Sequence, residues 1–134
     1  MQPHTLYFYA VEKRKKGKRL LSLGVLNVRG CGAEEKRCMI VDMFEERKMD
    51  VLALCETKVK GQGVREWEGQ RVIVSGVAER CRAREGVAIM VSGRLWGRVK
   101  EYKCVGSRIV WVRLNVAGEK VVIVSVYGPG MGKE

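Results

Sequence analysis

The sequence predicts an α/β fold: one mixed, mostly antiparallel sheet with a helical layer. Three observations predict it. From Arg19 onward, strand signals and a helix signal alternate along the chain. Three segments, VLALC (51–55), VAIMV (87–91) and VVIVSV (121–126), are apolar on both faces, which suits the inside of a sheet with cover above and below. One good helix covers part of one face, and nothing else in the chain is expected to cover the other. The chain therefore reads as one sheet and one helical layer of something larger, the missing layer coming from more chain, a partner or self-association.

The elements follow in order. Residues 1–19 differ from the rest: Lys13, Arg14, Lys15, Lys16, Lys18 and Arg19 crowd around Gly17. Such a run repels itself and is expected to be a solvated, mobile tail, a nuclear-localisation signal or a phosphate-binding arm. Leu20–Val28 reads as a strand, broken by Gly30 and Gly32. Residues 34–48 read as a helix, with Glu34 and Glu35 at its positive end, Lys48 at its negative end, and Ile40, Val41 and Phe44 as its apolar stripe. Val51–Cys55 is a strand, followed by a loop marked by Gly61, Gly63 and Gly69. Strands are expected at 71–75, 87–91 and 98–104. Residues 109–116 alternate, with Val110, Val112, Leu114 and Val116 on one side. Residues 117–120 make a hairpin turn into the last strand, 121–127, which Gly128, Pro129 and Gly130 stop.

Composition narrows the function. The 134 residues suffice for one domain with a real core, and a hydrophobic content of 46% argues against disorder. The net charge of +11 suits a polyanionic partner, because Lys and Arg that neutralise phosphates release condensed counterions. Five cysteines (31, 38, 55, 81 and 104) form no CxxC pair and no Cys/His cluster, so neither a zinc site nor a disulfide framework is expected. No apolar run approaches the roughly 20 residues of a membrane span, and the short stretch 6–11 lacks a preceding basic region. A nuclear or cytoplasmic protein, not a secreted one, is expected.

Two polar residues stand at strand ends, where rigid elements hold functional groups. Asn27 ends the first strand and Glu56 ends VLALC. A carboxylate after such a run is costly to desolvate without a cation or a donor. Glu56 is therefore either a ligand for a hard cation such as Mg²⁺ or the first solvated residue of a loop. His4, the only histidine, lies in the tail and is not expected to act as a base.

LNVRG (26–30), DVLALCETK (50–58), GVAIMVS (86–92), SRIVWVRLNV (107–116) and VVIVSVYGPG (121–130) stand in the order and spacing of one family. Over about residues 20–130 the chain resembles the endonuclease/exonuclease/phosphatase superfamily. Within it, the likeness is to LINE-type (non-LTR) retrotransposon endonucleases and to craniofacial development protein 2-like proteins. The resemblance implies a four-layer α/β sandwich, of which residues 20–134 would be the N-terminal half. It also implies Mg²⁺-dependent hydrolysis of a nucleic-acid phosphodiester, in DNA before RNA. Superfamily members acting on lipids and inositol phosphates share the early motifs but fit the basic charge less well. By motif, Glu56 is the metal-ligand glutamate, Asn27 the asparagine beside it, and Tyr127 the tyrosine near the scissile phosphate. Lys58 and Arg108 are candidate phosphate contacts or generic surface charges. The family's later GD-x-N and Asp-His segments have no counterpart after Tyr127, and Asp42 and Asp50 do not match them. The chain alone is therefore expected to be inactive. The alternative is a non-enzymatic nucleic-acid-binding or interaction module.

Overall fold

The computed structural model describes residues 8–128. Its strands are β1 (Phe8–Lys15), β2 (Lys18–Asn27), β3 (Val51–Cys55), β4 (Gln62–Trp67), β5 (Gln70–Ser75), β6 (Val87–Val91), β7 (Val99–Val105), β8 (Ile109–Val116) and β9 (Glu119–Val126). Helix α1 spans Glu34–Glu46, and a single turn, α2, spans Gly93–Trp96. The larger sheet has the order β1-β2-β3-β6-β5-β4, and a second sheet has the order β7-β8-β9. In the larger sheet only β2 and β3 run parallel, joined by the crossover through α1. The other pairs are antiparallel, so the fold is α/β with a mixed, mostly antiparallel sheet.

Alternation along the central strands sends side chains to two cores. Leu52, Leu54, Val72, Val74, Ala88 and Met90 face α1, where Ile40, Val41 and Phe44 cover them. Val51, Ile73, Val87, Ile89 and Val91 face the other way, against Val110, Val112, Leu114 and Ile123 of the second sheet. Burying each such side chain contributes about 1.5–3 kcal/mol before conformational entropy is offset. α1 ends in a Schellman turn: Met49 N–H donates to Phe44 O, Lys48 N–H donates to Glu45 O, and Lys48 takes the left-handed conformation at φ 52°.

Two expectations are corrected. The strands after Val99 do not extend the first sheet. They form their own sheet and supply the cover the chain was expected to lack. VVIVSV accordingly lies at an edge, with Val122, Val124 and Val126 about half exposed, because β9 buries one face only. The basic segment, expected as a mobile tail to residue 19, is strand from Phe8 to Lys15 and again from Lys18, turning at Lys16 and Gly17. Cross-strand pairing from Phe8↔Leu26 to Lys15↔Lys18 carries it despite its charge. The expected stop at Pro129 and Gly130, and His4, lie outside the described residues.

Candidate functional site

The parallel pairing of β2 and β3 brings Asn27 and Cys55 into register. The pairing continues past both strand ends. Val28 N–H donates to Cys55 O (3.0 Å), Gly30 N–H to Glu56 O (2.6 Å) and Cys31 N–H to Thr57 O (2.8 Å). On the other flank, Thr57 N–H donates to Gly86 O (3.0 Å) and Lys58 N–H to Glu85 O (2.6 Å). Glu56 is thus held between two neighbouring segments. Its φ of 57° is left-handed, as are those of Arg29, Gly30, Lys58, Glu85 and Gly86 around it. A non-glycine residue in that region costs about 1–2 kcal/mol, and such strain gathers where surrounding structure over-determines the backbone. A Cβ on Gly86 would collide with the Thr57 hydroxyl, so this crossing needs glycine.

The residues singled out in the sequence fall into two groups. Asn27, Glu56, Lys58, Arg108 and Tyr127 share one end of the two sheets. The Asn27 carboxamide oxygen accepts the Arg29 N–H at 3.2 Å, which turns the chain toward Glu56. Glu56 and Tyr127 are each half-buried. The Ser125 hydroxyl donates to Leu54 O at 2.9 Å, so Tyr127 and Glu56 each stand two residues beyond a point of contact between the sheets. Tyr127 N–H donates to Arg108 O at 2.9 Å. Among the described residues, no hydrogen bond joins the side chains of Asn27, Glu56 and Tyr127. Lys58 is exposed, its stem lying over Gly30.

Arg108 is committed to Glu85, with Nη2 at 2.9 Å and Nε at 3.2 Å from the same carboxylate oxygen. The Arg108 hydrogen bond, followed by that of Ser107, holds the Glu85 carboxyl below its usual range, and the pair raises Arg108 in turn. Desolvation, with help from the Glu56 charge, pushes the Cys55 thiol up.

The second group is the basic run. Lys13, Arg14 and Lys15 belong to β1, Lys16 to the exposed turn, and Lys18 and Arg19 to β2. β2 runs ten residues from Lys18 to Asn27, or about 30 Å at roughly 3.3 Å per residue. The basic turn and Glu56 therefore occupy opposite ends of the sheet, which the sequence did not reveal.

Among the described residues, no three His, Cys, Asp or Glu side chains lie close enough to hold a metal ion together. Glu56 alone fits the habit of Mg²⁺, which takes one or two protein carboxylates and otherwise water and phosphate oxygens. Glu85 is occupied by Arg108 and Ser107. Asp42 is exposed on α1. Asp50 is buried in a structural network, its carboxylate accepting the Ser22 N–H at 2.9 Å and pairing with Arg94 at 2.8 Å.

Sequence reasoning missed Arg80, Arg82 and Arg84, all exposed in the β5–β6 loop at the Glu56 end. The signal was present in AERCRAREG (78–86), where arginine recurs at every second position. Compared with known protein families and with curated proteins, the chain matches none.

Proposed function

We propose that residues 20–134 are the N-terminal part of an endonuclease/exonuclease/phosphatase domain of LINE retrotransposon ancestry, one that hydrolyses nucleic-acid phosphodiesters with Mg²⁺ in the nucleus or cytoplasm. The observation that carries this proposal is the convergence of Asn27, Glu56 and Tyr127, far apart in the chain, on one end of two packed sheets. Glu56 would offer its carboxylate as the protein ligand. Asn27 would keep the 28–30 segment turned against the Glu56 backbone. The Tyr127 hydroxyl would donate to a phosphate oxygen as charge builds there. Bound Mg²⁺ would supply neutralisation of that charge and of the leaving group.

The family's later segments that orient and deprotonate water have no counterpart in the 134 residues: His4 is the only histidine, and Asp42 and Asp50, the only aspartates, do not match them. Groups that act as a unit fail together, so the 134-residue polypeptide alone is expected not to nick supercoiled plasmid in Mg²⁺. Nicking that Glu56→Ala abolishes would show that these residues suffice for catalysis. Mg²⁺ binding that is weakened by Glu56→Gln, followed by NMR shifts at Asn27 and Glu56, supports the metal assignment. Shifts confined to other carboxylates would sink it. One observation favours a second reading, an interaction module: the exposed valines on the outer face of β9 suit self-association.

A further inference from the structure

We propose that Arg80, Arg82 and Arg84, in the loop between β5 and β6, form a phosphate-backbone grip that holds a nucleic-acid strand across the Glu56 end of the sheets. The inference rests on the nuclease reading for the identity of the ligand, and on the loop's own surroundings for the site. Three features carry it.

The first is position. β5 ends at Ser75 in register with Val87 at the start of β6, and β6 at Val87 pairs with Cys55. The loop therefore emerges at the end where Glu56 lies. Its base is bonded to the Glu56 segment through Thr57 N–H to Gly86 O and Lys58 N–H to Glu85 O.

The second is uncompensated charge. The loop has two acids of its own, and both are turned elsewhere. Glu85 is bound by Arg108 and Ser107. The Glu79 carboxylate converges with the Arg65 guanidinium over Gly61. Arg80, Arg82 and Arg84 are exposed, and no salt bridge joins them to a carboxylate among the described residues, although the Arg84 charge lies near enough to Glu85 to help lower its carboxyl. Arg29 and Lys58 stand exposed on the neighbouring segments. Cations gathered like this at one end create a local positive potential.

The third is what the loop lacks. Between the arginines stand Cys81 and Ala83, and no large apolar side chain is available to enter a bilayer. Guanidinium groups without an apolar wedge suit a phosphate backbone, which presents one charge per roughly 3.4 Å of each strand. The basic turn at 16–17, about 30 Å away, cannot serve the same phosphates. It can only add a remote contact on a longer ligand.

The test is equilibrium binding of the full chain to a labelled 30-nucleotide DNA, single- and double-stranded, by fluorescence anisotropy in EDTA over a range of salt. Replacing Arg80, Arg82 and Arg84 together with Gln should weaken binding at least about tenfold. It should flatten the log K against log salt slope on duplex by about 2–3, at roughly 0.9 for each phosphate that is no longer neutralised. The matching triple Lys variant should retain most of the slope, and both variants should melt like the parent. Unchanged affinity and slope in the Gln variant would overturn the proposal, above all if neutralising residues 13–19 removes all binding. Poly-glutamate competing as well as DNA at equal charge would also overturn it, because the loop would then be a general acidic-partner surface. Unchanged affinity in the Gln variant, with Mg²⁺ binding at Glu56 intact, refutes this inference alone, whereas weakened affinity in that variant without Mg²⁺ binding at Glu56 refutes the nuclease reading alone.

Discussion

Gly76→Ala should be among the most damaging single-methyl additions in this protein. Gly76 crosses directly over the segment that follows Glu56. A Cβ built there overlaps the Val59 carbonyl oxygen and comes within 2.9 Å of its carbon and 3.3 Å of the Lys60 Cα. All of these are backbone atoms, so no side chain can swing aside. The two segments must part, which strains the pair of bonds that joins them, Gly76 N–H to Gly61 O and Gly61 N–H to Val77 O, both 2.8 Å. Each bond is worth about 0.5–1.5 kcal/mol, and overpacking adds about 1–3 kcal/mol. The expected loss is about 2–6 kcal/mol, a large share of the roughly 5–15 kcal/mol of a typical domain. At about 4 °C per kcal/mol for a chain of this size, Tm should fall by about 8–24 °C. Gly97→Ala is the internal control. Gly97 already has a helical φ of −67° and open space around its Cα, so alanine there should be neutral or stabilising by up to about 1 kcal/mol. Thermal melts followed by circular dichroism compare the two. A Gly76→Ala melt within about 2 °C of the parent would show that the 59–61 and 76–77 segments are not packed as described.

Other expectations follow from the same packing. Asp50→Ala should cost about 3 kcal/mol by denaturant unfolding, since the buried Ser22 N–H loses its acceptor. Arg94→Ala should cost less, because the Asp50 carboxylate then still accepts the Ser22 N–H and the lost arginine side chain is 55% exposed, and a loss larger than that of Asp50→Ala would refute the ranking. Glu85 has its folded carboxyl held below the ordinary value of 4.5. Its contribution to stability is therefore full above that value and is lost as pH falls through the folded one. A carboxyl titration by NMR should place Glu85 below that ordinary value, and Arg108→Gln should raise it; no movement would refute the pairing. Burial pushes the Cys31 thiol up to about 11, so iodoacetamide at pH 8 should modify it only on unfolding, and rapid native-state labelling would contradict its placement. Val124→Lys, on the outer face of β9, should reduce any concentration-dependent association seen by light scattering without lowering Tm. Unchanged association would place the self-associating surface elsewhere.

Much of the fold was legible because apolar pattern reports burial directly. VLALC and VAIMV are buried along nearly all their length, as two-sided apolar strands should be. The alternation in 109–116 recurs as alternating burial in β8. That alternation also meant a strand with one face covered, but periodicity says which face is buried and not which sheet a strand joins, so the second sheet went unread. β4 was missed because QGVREW is an edge strand of polar and small residues, with Trp67 as its one buried side chain. β1 was missed because a run of like charge reads as solvated, and local charge cannot reveal cross-strand pairing with β2. Within the candidate site, Asn27 and Glu56 were legible as polar residues closing apolar strands. Arg80, Arg82 and Arg84 were not, because a loop arginine acquires meaning only when the sheet order shows which strand ends lie beside it.

The bond from Ser125 to Leu54 has a consequence for how the protein is made. The two residues are 71 positions apart, and β3 is the strand that β2, β6 and the second sheet all require. During synthesis at about 5–20 residues per second, VLALC emerges from the ribosome about 4–14 s before the strand that shields its second face. Local pairing with β2 across the α1 crossover can begin early, but the layer from β7 to β9 comes last, and non-local pairing of this kind is slow in any case. For those seconds the centre of the future core is an apolar, β-prone strand with one side open. Protein yield in the cell should therefore respond more to chaperone supply and translation speed than the stability of the finished domain would suggest.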